Sequence, residues 1–165
     1  IGIGLPNAIP GTEGRRLVGW AQRAEELGFD SLGVIDRVVY DSYEPLLALA
    51  MAAAVTERIE LVTNVVIAPL RNTGMLAKQA ASLDRASGGR LTLGLALGGR
   101  DDDFVACGRS NADKQQCVDG WSSEAARFID DEHRGYARGA AAYYLDTRLR
   151  SSPEEQQKYC RLNAS

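Results

Sequence analysis

The chain has 165 residues, enough for one domain with a real core, and an ordinary composition of 45% hydrophobic and 25% charged residues. A net charge of −3 gives no reason to expect binding to nucleic acid or a membrane surface, and no apolar run approaches the roughly 20 residues of a membrane span. The three cysteines, Cys107, Cys117 and Cys160, are odd in number and lack CxxC spacing, which argues against a disulfide framework or a zinc site and for reduced structural thiols. No secretory signal is visible, and the chain opens on Ile1 rather than Met, as expected if an upstream piece is missing.

"IGIGLP" alternates Ile and Gly up to a proline, which predicts a strand over residues 1–5. "NAIPGTEG" is the loop after its tip. Leu17, Trp20, Ala21, Ala24 and Leu27 then fall at helical spacing and predict a helix over 14–27, ended by Gly28. "SLGVI" reads as a short buried strand and "DRVVYDSYE" as the loop beyond it. Pro45 suits the first turn of a second, well-buried helix running to Val55. "RIELVTNVVIAP" is the third strand, rich in β-branched residues and halted by Pro69. "RNTGMLAKQAASLDRAS" is the third helix, with Gly88 and Gly89 at its end, and "LTLGLAL" is the fourth strand. Strands recurring about every 30 residues with helices between them predict βα units and a parallel sheet. Functional groups in such sheets sit on loops after the strand C-termini. Beyond Phe104 the signals change. Segments 121–133, 135–148 and 153–161 read as helical and none reads as a strand. The expected organisation is a βα-repeat unit over 1–105 with a helical segment, 106–165, packed on it as one domain.

The stretches "AQRAEELGFDSLGVIDR", "EPLLALAMAAAVTERIELVTNVVIAPLRN" and "LAKQAASLDRASGGRLTLGLALGGRDDDF" resemble, in order and spacing, the luciferase-like monooxygenases. The resemblance covers roughly residues 1–108. It implies an α/β fold, a TIM-type (β/α)8 barrel, with activity that depends on a flavin such as FMN or on the deazaflavin coenzyme F420. "IDR" and "GGRDDDF" look nearer to the deazaflavin-using branch. "ARGAAAYYLDTRLRSSPEEQQKY" resembles the family's far C-terminal stretch, where a helix with paired tyrosines precedes a "TSPEE"-like cap. The expected fold is therefore a partial barrel of about four parallel strands followed by C-terminal helices, in a shortened or fragmentary homologue. The family context leads to the expectation of a cytoplasmic protein.

In the family the cofactor ring lies over the C-terminal ends of the barrel strands. The resemblance places at those tips Asn7, Asp36 with Arg37, Asn64 with Val65, and Gly98, Gly99 and Arg100. Asp36 ends a buried strand, where a carboxylate needs a partner; it could accept hydrogen bonds from a ring or substrate, or cap a loop. Arg37 stands where the family often carries histidine, and a guanidinium cannot serve as a general base. The resemblance implies a non-proline cis peptide at Asn64–Val65, forming a bulge behind the ring; an ordinary strand end is the alternative. Gly98 and Gly99 allow close approach of a flat ligand or a sharp turn, and Arg100 could pair with a phosphate or with the neighbouring acids. "GLALGG" is not a dinucleotide fingerprint. Asp101, Asp102 and Asp103 are expected to be a solvated helix start rather than a metal site. His133 is expected to face solvent, Tyr143 and Tyr144 to pack, and Trp20 and Trp121 to lie in or over the core. No catalytic residue can be assigned, and the substrate, a small molecule, is not identified.

Four strands cannot close a barrel, which takes about eight. An open half exposes strand edges and a face built for burial, so the C-terminal helices would cover it or two chains would pair as a homodimer. The phosphate end of the cofactor is held in the family largely by the second half of the barrel. Two readings follow: a flavin- or deazaflavin-dependent oxidoreductase, or a shortened, non-catalytic homologue acting as a binding or dimerising scaffold. A doubly wound sheet binding another small molecule is a third.

Overall fold

The computed structural model describes residues 1–110. In chain order they form β1 (Gly2–Gly4), α1 (Gly14–Glu26), β2 (Ser31–Val34), α2 (Pro45–Ala53), β3 (Glu60–Ile67), a 3-10 turn (Ala68–Leu70), α3 (Thr73–Ala86), β4 (Leu91–Ala96) and α4 (Asp101–Ala106). The four strands lie side by side in sequence order and every pair is parallel. Strictly sequential parallel order with a helix in each crossover is the opening run of a (β/α)8 barrel. The partial barrel expected from the sequence is the fold observed.

Register decides which residues meet the helices. Ile3, Leu32, Leu61 and Leu91 form one row across the sheet, and Val34, Thr63 and Leu93 the next. These rows pack against Leu17, Ala21 and Ala24 of α1, Ala48, Leu49 and Ala52 of α2, and Leu76 and Leu83 of α3 in one buried cluster. Each fully buried Leu or Val contributes roughly 1.5–3 kcal/mol. On the other face the matching row is Gly4, Gly33, Val62 and Thr92, small or polar, with Gly4 and Thr92 exposed.

The helix ends show why the repeat is regular. After α1, the Gly28 amide donates to the Glu25 carbonyl and the Phe29 amide to the Ala24 carbonyl. After α3, the Gly88 amide donates to Arg85 and the Gly89 amide to Asp84. Both are Schellman closures, which turn the chain sharply back towards the sheet. Glu44 caps α2 by accepting from the Leu47 amide, with Pro45 in the first turn, and Asn72 caps α3 by accepting from the Met75 amide.

At the strand N-termini two side chains tie the units together. Glu25 accepts the amides of Glu57, Arg58 and Ile59, which anchors the entry to β3 on α1. The Arg90 guanidinium donates to the carbonyls of Ser87, Ile59, Ala53 and Thr56 and to the Thr56 hydroxyl. α2 stops at Ala53, two residues before the expected Val55: the Val55 amide donates to the Ala52 carbonyl, three residues back, and the Thr56 hydroxyl donates to the same oxygen. β3 likewise ends at Ile67 because Pro69 lies in the 3-10 turn. On α1, Leu17, Ala21 and Ala24 are buried as expected, whereas Trp20 and Leu27 are 44% and 59% exposed and stand outside the core. The boundary expected near residue 105 falls within α4. The helices expected over 121–133, 135–148 and 153–161, with Trp121, His133, Tyr143, Tyr144, Cys117 and Cys160, lie outside the described residues.

Candidate functional site

The residues singled out in the sequence gather at the C-terminal ends of the strands, around the loop 35–44 that follows β2. Three neighbours pin this loop through buried polar groups. From the β1 side, Asn7, 1% exposed, donates its side-chain amide to the carbonyls of Ile35 (2.8 Å) and Tyr43 (3.3 Å) and accepts from the Ile35 amide. Its side chain thereby continues the β1–β2 pairing beyond the strands. The Tyr43 hydroxyl donates to the Thr12 carbonyl at 2.7 Å, and Asp41 accepts from the Gly11 amide.

From the β3 side, the buried Asp36 carboxylate accepts from the Ile67 amide at 2.9 Å and from the Arg71 guanidinium at 2.8 Å. Arg71 also reaches Glu44 at 2.6 Å, so one cation joins the β2 tip, the α2 cap and the loop after β3. Burial acts to lower the Arg71 pKa, but the Asp36 charge and hydrogen bond, and then those of Glu44, outweigh it and hold it above its ordinary value.

From the β4 side comes Asp103, the clearest departure from the sequence reading. Asp101 and Asp102 are exposed, as a solvated helix start should be, but Asp103 is 1% exposed. One of its carboxylate oxygens accepts the amides of Val38 (2.8 Å) and Val39 (3.0 Å), and the other pairs with Arg37 Nε at 2.7 Å. The buried carboxylate is fully partnered, which removes the reason to expect it in solvent. Burial alone would raise its pKa. The Val39 and Val38 amides and then Arg37 outweigh burial and hold it below the ordinary carboxylate value. Arg37 also bridges to Asp102 at 3.1 Å and lies over the Tyr40 ring at 5.5 Å. It is thus a structural cation.

β3 carries the irregularity expected of it. The Asn64–Val65 peptide is cis, and the β3–β4 register shifts between Thr63 and Val66, so Asn64 and Val65 together oppose Gly94. The buried Thr63 hydroxyl donates to the Gly94 carbonyl (2.8 Å) and accepts from the Gly94 amide (2.7 Å), in place of the interrupted backbone ladder. A Cβ at Gly94 would collide with the Thr63 carbonyl, so the position is closed to any side chain. Asn64 itself is exposed, Val65 is half-buried, and no hydrogen bond joins the Asn64 side chain to another described residue.

The glycines of "GGR" differ from one another. Gly98 has φ +75°, and a Cβ there would lie 2.6 Å from Ile67 Cγ2 and 3.4 Å from the Phe104 ring, so it packs the loop after β4 onto β3. Gly99 is exposed with open space around it, and Arg100 is exposed, 3.6 Å from Asp102. Asn7, Asp36 and Gly98 therefore build the rim from within, whereas Asn64, Val65, Gly99 and Arg100 remain on it. Among the described residues no group of three or more His, Cys, Asp and Glu is placed to hold a metal ion, and no helix is long and apolar enough to cross a membrane. Arg71, Glu44, Thr63, Gly94 and the buried state of Asp103 were not anticipated. Only Gly94 carried a signal, as an isolated glycine inside a strand pattern.

The sequence matches the family model for luciferase-like monooxygenases over residues 2–156. It is 40% identical over 90 residues to 4-hydroxyprotoasukamycin monooxygenase of Streptomyces nodosus subsp. asukaensis, a match covering 54% of this chain and 22% of that protein. Among solved structures, the monooxygenase RslO1 of Streptomyces bottropensis superposes with a TM-score of 0.64 at 29% identity, covering 74% of this chain and 40% of that one. The coenzyme F420-dependent tetrahydromethanopterin reductase of Methanopyrus kandleri does so with a TM-score of 0.55 at 28% identity, covering 66% and 29%. The chain spans well under half the length of these relatives. A match over nearly the whole chain, a sequential parallel sheet and a bulged third strand at its tips converge: the chain belongs to the luciferase-like monooxygenases, a family of flavin- and F420-dependent oxidoreductases.

Proposed function

We propose that this chain supplies the first half of a flavin- or deazaflavin-dependent oxidoreductase site, with the cofactor ring resting on the tips of β3 and β4. The observation that carries this reading is the bulge at Asn64–Val65, which leaves on the rim a half-buried valine and an exposed carboxamide with no hydrogen-bond partner among the described residues. A flat heteroaromatic ring needs such a surface: apolar against its face, with a donor and acceptor at its edge. Asn64, Val65, the open backbone at Gly99 and the exposed Ile35 fit that requirement. When bound, the ring would supply the hydride or oxygen chemistry. The protein's part is to hold the ring and shape the rim.

The fit is to the ring rather than to the phosphate tail. Arg37 and Arg71 are committed to carboxylates, which leaves Arg100, loosely paired with Asp102, as the cation at the described strand tips that could meet a phosphate. The test is a fluorescence titration of the purified chain with FMN and, separately, with coenzyme F420, alongside size-exclusion chromatography. Micromolar binding of either supports the reading and selects the cofactor. No binding up to millimolar overturns it and leaves a shortened, non-catalytic homologue acting at most as a binding or dimerising scaffold.

A further inference from the structure

We propose that Asp103 is a positioning residue that locks the loop after β2 and the loop after β4 into one unit across the tip of β3. It touches no ring or substrate and acts through the segments it joins; its value to cofactor binding rests on the ring site proposed above.

Three observations support this. First, Asp103 belongs to the segment that follows β4, three residues beyond Arg100, yet among the described residues its carboxylate accepts only from the other loop: the Val38 amide, the Val39 amide and Arg37 Nε. Second, β2 and β4 are both neighbours of β3 and are not neighbours of each other, so this bridge spans the end of the strand that carries Asn64 and Val65. Third, the Asp103 carboxylate is buried while the loop it holds presents Val38, Val39 and Tyr40 at 42%, 46% and 46% exposure. Apolar residues on a solvent-facing loop have little packing of their own to order them. The two amides and the guanidinium held by one carboxylate supply that order instead.

Because the same side chain closes both segments, their order is coupled. Loss of the carboxylate should loosen residues 38–39 and also residues 99–101. A ring resting at the β3 tip meets both, so its apparent affinity falls with the fraction of molecules in which both are in place.

The experiment compares the intact chain with Asp103→Asn and with the double variant Asp103→Asn, Arg37→Gln. Asparagine keeps an acceptor for the two amides but turns an N–H towards Arg37; glutamine at position 37 restores a donor–acceptor match there. Amide hydrogen exchange is measured without cofactor, and FMN and F420 affinity by fluorescence. The expected result is faster exchange in both segments for Asp103→Asn and affinity reduced about tenfold, as when the ordered fraction falls to about one in ten, with recovery of both in the double variant. Faster exchange confined to residues 38–39, or unchanged affinity in a chain that binds cofactor, overturns the proposal. If the unaltered chain binds neither cofactor, the ring site fails, and the exchange at residues 99–101 alone decides whether Asp103 couples the loops.

Discussion

The Thr63 hydroxyl stands in for a stretch of backbone: it both donates to and accepts from Gly94, at 2.8 and 2.7 Å, where the β3–β4 ladder is interrupted. Thr63→Val keeps the shape and removes both bonds, leaving a buried amide and a buried carbonyl without partners. Each such group costs about 1–3 kcal/mol, so urea denaturation should show a loss of about 2–6 kcal/mol. A loss below about 0.5 kcal/mol, the range of an ordinary surface substitution, would show that the hydroxyl is not bridging the bulge.

The contrast between what the sequence reveals and what it hides turns on distance along the chain. Strands, helices and caps are local, and Gly28, Pro45 and the β-branched run at 60–67 announce them where they stand. That the tip loops gather at one end of the sheet is legible too, since loops after adjacent parallel strands converge whatever their sequence. The pairings that build the rim join residues far apart: Arg71 with Asp36, Asp103 with Val38, Asn7 with Ile35. No local pattern specifies them. "DDD" reads as a uniform acidic run, yet the helix that starts there turns its third carboxylate inward onto the loop after β2 while Asp101 and Asp102 stay exposed.

Arg71 is the shared partner of Asp36, whose side chain is 2% exposed, and of Glu44, 34% exposed. Removing the cation strands a buried carboxylate, whereas removing one carboxylate leaves the cation with the other. Arg71→Met should therefore cost about 3 kcal/mol or more, and Asp36→Asn, which still offers the Ile67 amide an acceptor, distinctly less. Thermal denaturation of the two variants checks the order; equal losses would mean that the network is not organised around Arg71.

Arg90 has all its guanidinium N–H groups directed at oxygens of the α2–β3 and α3–β4 connections. Lysine keeps the charge but is a point donor that cannot span carbonyls on both sides of the fork. Arg90→Lys should then destabilise the chain by about 2–3 kcal/mol, because several carbonyls lose partners at once. Since these contacts lie at the strand N-termini, cofactor affinity should be unchanged at temperatures where the variant is folded. A drop in affinity without a drop in melting temperature would contradict this separation of the two ends of the sheet.

Asp103 and Glu25 both carry pKa values lowered from their ordinary 3.8 and 4.5. At Glu25, as at Asp103, burial works to raise the value. The amides of Ile59, Arg58 and Glu57, with the Arg58 charge, more than offset it. A folded-state value below the unfolded one means that the unfolded chain takes up protons first as pH falls. The stabilisation from these two groups is therefore present above the unfolded carboxylate range, about pH 4, and is lost as pH drops through their folded values. Chemical denaturation between pH 6 and pH 3 (roughly the span over which carboxylates titrate) should show falling stability. Asp103→Asn and Glu25→Gln, each less stable at pH 6, should show a flatter fall, because the titrating group is gone. A variant that keeps the full slope would show that its carboxylate is not what ties the loop or the entry to β3 in place.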